Sequence, residues 1–432
     1  MNRVTLTGND LDHLGEVPNH ATTAMTLTPQ CVSAPAAGES PRPRHITRRS
    51  ALRLGLGAAA AVGASITAVG CSGGGTAERP RSSGSAAAER PRSWYHATGR
   101  WVASSPTVVG GVVYVGSNDM NVYALDAATG TKKWAFTTSS NVTSSPAVVG
   151  GVVYVGSDDM NVYALDAATG TKRWASTTGG CVESSPAVVD GVVYVGSDDK
   201  KVYALNAATG TKKWVFTTGG NWGVISSPVV VGGVVYIGSD DKKVYALDAA
   251  TGTKKWAFTT GSSVASSPAV VEGVVYVGSN DNNVYALDAA TGAKKWAFTA
   301  GESVRSSPAV GGGVVYVGSE DRSVYALDAA TGTKKWAFVT GSSVRSSPAL
   351  VDGVVYVGSF DSNMYALDAA TGAKKWVFTT GGWVLSSPAV VDGVMYVGSN
   401  DNNVYALDAA TGAGPVLFPT QTATRTATPG SA

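Results

Sequence analysis

"ALDAATGTKKW" occupies Ala124–Trp134 and returns letter for letter at 246–256 and 326–336. Near copies lie at 164–174, 204–214, 286–296 and 366–376, and a truncated copy begins at Ala406. An acid, a threonine, a glycine and a tryptophan at fixed spacing can form a cofactor site or a structural joint. The repeat around the stretch decides between them. The marker SSP places its proline at Pro106, Pro146, Pro186, Pro228, Pro268, Pro308, Pro348 and Pro388. The interval is constant at every step but one, from Pro186 to Pro228, where NWGVISSP carries a two-residue insertion. One unit is therefore written eight times.

Within a unit, four β-rich runs alternate with turn residues: SSPAVVGG, GVVYVGS, NVYALD and KKWAFTT. They predict four antiparallel strands, here A, B, C and D in chain order. No segment of helical period interrupts them. A four-stranded sheet with two apolar faces cannot bury both alone, but stacking such sheets around a ring can. The expected fold is an all-β, eight-bladed β-propeller with tryptophan-docking motifs.

The opening stretch then has a structural role. Asp126 and Thr129 suit an Asx- or ST-turn, and Gly130 can take a positive φ. Trp134 begins strand D, where it can lie flat between blades. Its counterparts are Trp174, Trp214, Trp256, Trp296, Trp336 and Trp376. Burying one indole removes about 150–250 Å² from water, an upper bound of about 4–6 kcal/mol per joint. The Lys132–Lys133 pair falls on the outer strand, where lysine discourages edge-to-edge pairing. Trp94 precedes Pro106 by the same interval as Trp134 precedes Pro146, while the last unit ends GAGPVLF. Residues 94–97 are thus expected to supply strand D of the last blade, with 414–418 as the rival.

The pattern A-x-D-x-x-T-G-x-x-x-W resembles the docking repeat of the PQQ-like eight-bladed propeller family, which holds the quinoprotein alcohol dehydrogenases and BamB-like lipoproteins. The resemblance covers about residues 94–413. It implies a joint between blades at the motif, with any quinone over one face of the ring.

Upstream, TRRSALR at 47–53 precedes an uncharged run, Leu54–Gly70, ending in AVGC at Cys71. That run is short for a membrane span. The arrangement resembles a twin-arginine lipoprotein signal, with Arg48 and Arg49 as the export pair and Cys71 as the lipidated residue. The expected layout is a long n-region without fixed structure (1–47), the signal (48–71), a flexible tether (72–93), the propeller (94–418) and a disordered tail (419–432). The protein is expected outside the cytoplasm, lipid-anchored to the cell membrane.

Chemistry is sparsely supplied. The 432 residues carry a formal charge of +2, which excludes an electrostatic case for nucleic acid. Only His96 of the four histidines lies in the repeats, so a His-based triad or a multi-histidine metal site is excluded. The cysteines are Cys31, Cys71 and Cys181. Cys181 is the sole one in the repeats, expected as a free thiol, and no vicinal pair matches that of the quinoprotein dehydrogenases. Glu183, Glu302 and Glu320 break the repeat with an acid and read as solvated loop residues. The aspartates Asp119, Asp159, Asp199, Asp241, Asp281, Asp321, Asp361 and Asp401 recur in every B–C turn and read as turn formers rather than cation ligands. No metal, no cofactor and no catalysis is expected. A PQQ-dependent dehydrogenase and a BamB-like assembly factor for outer-membrane proteins are the alternatives.

Strands alternate in direction, so B–C and D–A loops share one face and A–B and C–D loops the other. Among the copies the DAATG turn barely varies. Variation concentrates in B–C, at Met120, Lys200, Lys242, Asn282, Arg322 and Phe360, and in D–A. Most D–A copies read X-Val-X before SSP, and strand alternation would point the flanking residues the same way. The expected ligand face comprises Trp101, Glu183, Trp222, Arg305, Arg345 and Trp383. Ring closure would make Trp101 and Trp383 neighbours and put both arginines on adjacent blades. An aromatic patch beside an arginine pair suits an anionic peptide or glycan. A monomer binding an unknown protein, peptide or glycan is the expectation.

Overall fold

The structure is a computed structural model that describes residues 93–220 and 223–415. The export signal, Cys71 and Trp222 lie outside the described residues. Eight four-stranded antiparallel sheets follow one another, and no helix interrupts them among the described residues. In blade 1, strands A to D are Thr107–Val109, Val112–Gly116, Asn121–Asp126 and Lys132–Thr137. Strand D thus begins two residues earlier than the tryptophan. The last blade takes A, B and C from Ala389–Val391, Val394–Gly398 and Asn403–Asp408, and its D from Trp94–Ala97, with Trp94 opposite Ala406. The amino-terminal strand closes the ring, and the described residues after Asp408 form no rival strand.

Local chemistry explains the hairpins. The A–B turns read Gly-Gly, Asp-Gly or Glu-Gly, and both residues have positive φ, as at Asp190 (49°) and Gly191 (70°). Two left-handed residues are what a two-residue hairpin of matching twist requires. Strands B and C bury both faces between blades, so they are apolar throughout instead of alternating. Val113, Val115, Val122, Ala124 and Leu125 are wholly buried. Gly116 is required by crowding: a Cβ there would come within 2.4 Å of Val142 Cγ1 and 2.6 Å of the Val142 carbonyl oxygen.

The docking joint is built as expected. Trp134 Nε1–H donates to the Ala167 carbonyl of blade 2 at 3.0 Å, and Tyr114 O–H donates to the same oxygen at 3.0 Å. The indole lies over Gly170, where a Cβ would meet Trp134 Cδ2 at 2.7 Å and φ is +74°. In the turn, Asp126 Oδ1 accepts from the Ala128 and Thr129 N–H groups and from the Thr129 hydroxyl. Trp94 makes the closing joint, donating to the Ala127 carbonyl at 2.9 Å.

Candidate functional site

The face formed by B–C and D–A loops is assembled by latches that the repeat supplies eight times. Asp119 Oδ2 accepts from Gly99 N–H and from Tyr123 O–H, both at 2.7 Å, and its Oδ1 accepts from Asn121 N–H at 3.1 Å. Gly99 follows strand D of the previous blade, so this aspartate ties blade to blade. Burial and the Asp119 carboxylate push the Tyr123 phenol well above its usual range. The Oδ2 contact to the preceding blade recurs in all eight copies, so the repeated aspartates act as structural latches.

On this frame the copies differ at three positions per blade. The X-Val-X segment is irregular, not a strand, so alternation does not govern it. Its valine is wholly buried in every blade, while Trp101 is 44% exposed and Ala103 only 1%. On blades 1 and 8 the first flanking residue sits at the rim and the second turns inward, whereas on blade 3 Cys181 is buried and Glu183 half-buried. The third position precedes the latch aspartate in the B–C turn. It reads Asn118, Asp158, Asp198, Asp240, Asn280, Glu320, Phe360 and Asn400 around the ring. Its backbone N–H donates to the first flanking residue's carbonyl, as from Asn118 to Trp101 and Asn400 to Trp383, both at 2.9 Å.

Three sectors result. In the first, Arg305 and Arg345 do come together, but around Glu320: their Nε atoms lie 3.4 and 2.5 Å from Glu320 Oε1. The three side chains are only 14–18% exposed. Glu320 is thus the centre of an ion triad and not the solvated loop residue expected. The arginines are not an open anion site, because a carboxylate of the same chain already takes them. The expectation of an anionic ligand loses its basis here.

The second sector is aromatic. The Arg345 guanidinium lies 5.0 Å from the Phe360 ring centroid, and Phe360 stacks on Trp383 at 5.0 Å and 6°. Trp383 is 37% exposed. Trp101 stands on the adjacent blade, as expected, although Trp383 takes Phe360 as its stacking partner. Among the described residues, the loop positions that depart to an aromatic, Trp101, Phe360 and Trp383, fall on three consecutive blades of the closed ring; Trp222, in the longer loop before blade 4, lies outside the described residues.

The third sector is acidic, and the sequence reading missed it. Asp158, Asp198 and Asp240 follow one another on blades 2, 3 and 4, with Glu183 on blade 3. Burial, then the Asp198 charge, pushes the Asp158 carboxyl up to about 6. Burial pushes Asp240 up to about 6 as well, against the opposing pull of Arg305. In "GSDD" the first aspartate reads as part of the same turn as the second. The available signal is its replacement by Asn, Glu or Phe in other copies. Cys181 lies beside this sector, its Sγ 3.4 Å from the Asp158 carbonyl oxygen. It is disulfide-bonded, against the free thiol expected. Among the described residues no group of three or more His, Cys, Asp or Glu is placed to hold a metal ion.

The repeats are also those of a known family. A family model described as outer membrane protein assembly factor BamB matches residues 87–145, 137–263, 216–323, 240–359 and 340–414. The chain belongs to the BamB family. Similar folds include BamB from Moraxella catarrhalis, 19% identical, with a TM-score of 0.65 over 72% of this chain and 98% of that one. The computationally designed Ika8 protein is 18% identical, with a TM-score of 0.65 over 72% and 96%. Quinohemoprotein alcohol dehydrogenase from Comamonas testosteroni is 19% identical, with a TM-score of 0.64 over 76% and 77%. No curated protein matches the chain. BamB-family membership accounts for the ring and its joints. The BamB-like and dehydrogenase-like neighbours share the fold at identities too low to carry a function, so function has to be read from the sectors.

Proposed function

We propose that the chain is an exported, membrane-anchored, non-catalytic propeller that binds a protein, peptide or glycan on its B–C/D–A face. One observation carries the reading. Trp101 stands near the start of the repeats and Phe360 and Trp383 near their end, yet closure gathers them into one aromatic arc with two indoles partly exposed. Exposed indoles at a rim are typical anchors of interfaces.

The ends of the chain support the arrangement. Trp94 meets the C–D turn of blade 1, and the C–D turn of the last blade precedes Pro415. Both ends therefore leave on the face opposite the aromatic arc. A lipid at Cys71 would be joined by residues 72–93, a coil of about 25 Å end to end. The binding face would look away from the membrane.

The dehydrogenase alternative fits the site poorly. Pyrroloquinoline quinone carries three carboxyl groups, and the mouth presents Asp158, Asp198, Asp240 and Glu183. Arg305 and Arg345 there are held by Glu320. The site also lacks a vicinal cysteine pair. Outer-membrane protein assembly is what the family's description names, and a pull-down that returns barrel-assembly proteins would favour that reading.

The test is capture by the purified mature chain from an extract and on a glycan array. Trp101→Ala with Trp383→Ala should abolish capture while leaving the melting temperature within about 2 °C, as for exposed side chains. Unchanged capture would overturn the binding face. Dye reduction with alcohols after adding the quinone and Ca²⁺ would overturn the non-catalytic reading.

A further inference from the structure

Lys132 is the first residue of strand D in blade 1, directly after the C–D turn. Lys172, Lys212, Lys254, Lys294, Lys334 and Lys374 hold the same register in blades 2 to 7, each opposite the leucine that ends the C strand's paired run. All seven are exposed. The next residue is neutralised within its own blade in six copies, by pairs such as Lys133–Asp126 at 3.2 Å and Arg173–Asp166 at 2.7 Å. The first lysines have no such partner among the described residues; Lys212 instead leans over the Tyr203 ring. Blades are copies turned about one axis, so these seven residues lie at one height. They form a ring parallel to the propeller's A–B/C–D face.

The charge of the two faces differs in sign. On the A–B/C–D side of the described residues, fourteen Lys and Arg meet eleven Asp and Glu, leaving +3. On the B–C/D–A side, eight Lys and Arg meet fourteen Asp and Glu, leaving −6. The faces are separated by a six-residue strand, roughly 20 Å. The Debye length at physiological salt is about 8 Å, so an approaching surface feels one face at a time. The positive face is also the one from which the chain leaves toward residue 93.

We propose that the lysine ring docks the propeller flat on an anionic lipid bilayer. Lysine stems are long enough to carry their charges past the neighbouring turn to the headgroups, and anionic leaflets attract such clusters. The −6 face is repelled by the same surface, so docking fixes orientation and holds the aromatic arc outward. The inference uses the lipid anchor only to bring the surface within reach; the charge arrangement stands without it.

The experiment uses the full chain with Cys71→Ala, which takes no lipid, and vesicles of phosphatidylcholine alone or with about 30% phosphatidylglycerol to mimic anionic leaflets. Residues before Trp94 carry arginines of their own, so the deciding readout is the difference between variants. Seven Lys→Gln changes at the ring should lower partitioning onto the anionic vesicles at least tenfold, given a factor of about five per surface lysine. The difference should vanish in 1 M salt, where the Debye length is about 3 Å. Lys200→Asn, Lys242→Asn and Arg322→Asn on the other face, where Asn282 and Asn402 show that Asn fits, should not reduce binding. If the sevenfold variant aggregates through its bared edges, Lys132→Glu, Lys254→Glu and Lys334→Glu give the same comparison. Retained binding in the ring variants, or loss in the opposite-face variant, overturns the proposal. Fractionation of the lipidated wild type tests the anchor separately.

Discussion

The backbone N–H of Ser387 donates to Ser105 Oγ at 2.9 Å, although the two serines belong to the last and the first blade. Ser105 N–H in turn donates to Ser145 Oγ, and the relay passes through Ser185, Ser227, Ser267, Ser307 and Ser347 back to Ser387. Eight blades thus close an unbroken hydrogen-bond ring near the axis, in the segment that every copy spells SSP. Five of the eight links are buried and three part-buried, and a buried one that loses its partner costs about 1–3 kcal/mol.

Closure makes the amino-terminal strand decisive. Deleting 94–97 removes the Trp94 joint to Ala127 and exposes the edge of the last blade. The expected result is loss of most of the cooperative unfolding transition in calorimetry. Deleting 416–432 should leave that transition in place. An unchanged melting curve for the first variant would refute closure by this strand.

Docking depends on a bare α-carbon beneath each indole. Gly170→Ala places a methyl group 2.7 Å from Trp134 Cδ2 at a left-handed φ. Destabilisation by more than about 2 kcal/mol in urea titration is expected, combining overpacking and backbone strain. Gly150, which has nothing within 4 Å of its would-be Cβ, isolates the backbone share.

The ion triad changes what the arginines can be used for. Removing both Arg305 and Arg345 leaves Glu320 buried without its partners, so the double Ala variant should melt lower than wild type. Adding Glu320→Gln should recover part of the loss. A solvent-exposed arginine pair would show no such thermal effect; the shared carboxylate is what produces it.

Acid should stabilise the acidic sector. Asp158 and Asp240 hold their protons up to about 6 in the folded chain, above the unfolded carboxylate range. The folded state therefore binds more protons than the unfolded one between about pH 4 and 6. Stability from these groups is present below that window and lost as pH rises through it. Asp158→Asn with Asp240→Asn should raise the melting temperature at pH 7.5 and flatten its change between pH 5 and 7.5. Asn118, Asn280 and Asn400 show that the side chain fits at this position.

Much of the architecture follows from the one-dimensional pattern. A constant repeat interval, four β-rich runs and an Asp-Thr-Gly-Trp joint define blades, turns and the docking of indole on glycine, because each is a local or nearest-neighbour interaction repeated without change. The pairing of Trp94 with the last blade was legible too, from its spacing to Pro106. What the sequence could not convey is how the exceptions combine. Glu320 meets two arginines from different blades, Phe360 lies under Trp383, and Asp158 feels Asp198, although no two of these partners are close along the chain. The arginine contacts depend on the inward turn of X-Val-X, which strand alternation does not govern. The sequence by itself determined the repeated frame; tertiary closure alone decided which departures from it became neighbours and which charges cancelled, because charge and stacking energies depend on distances through space that the ring imposes.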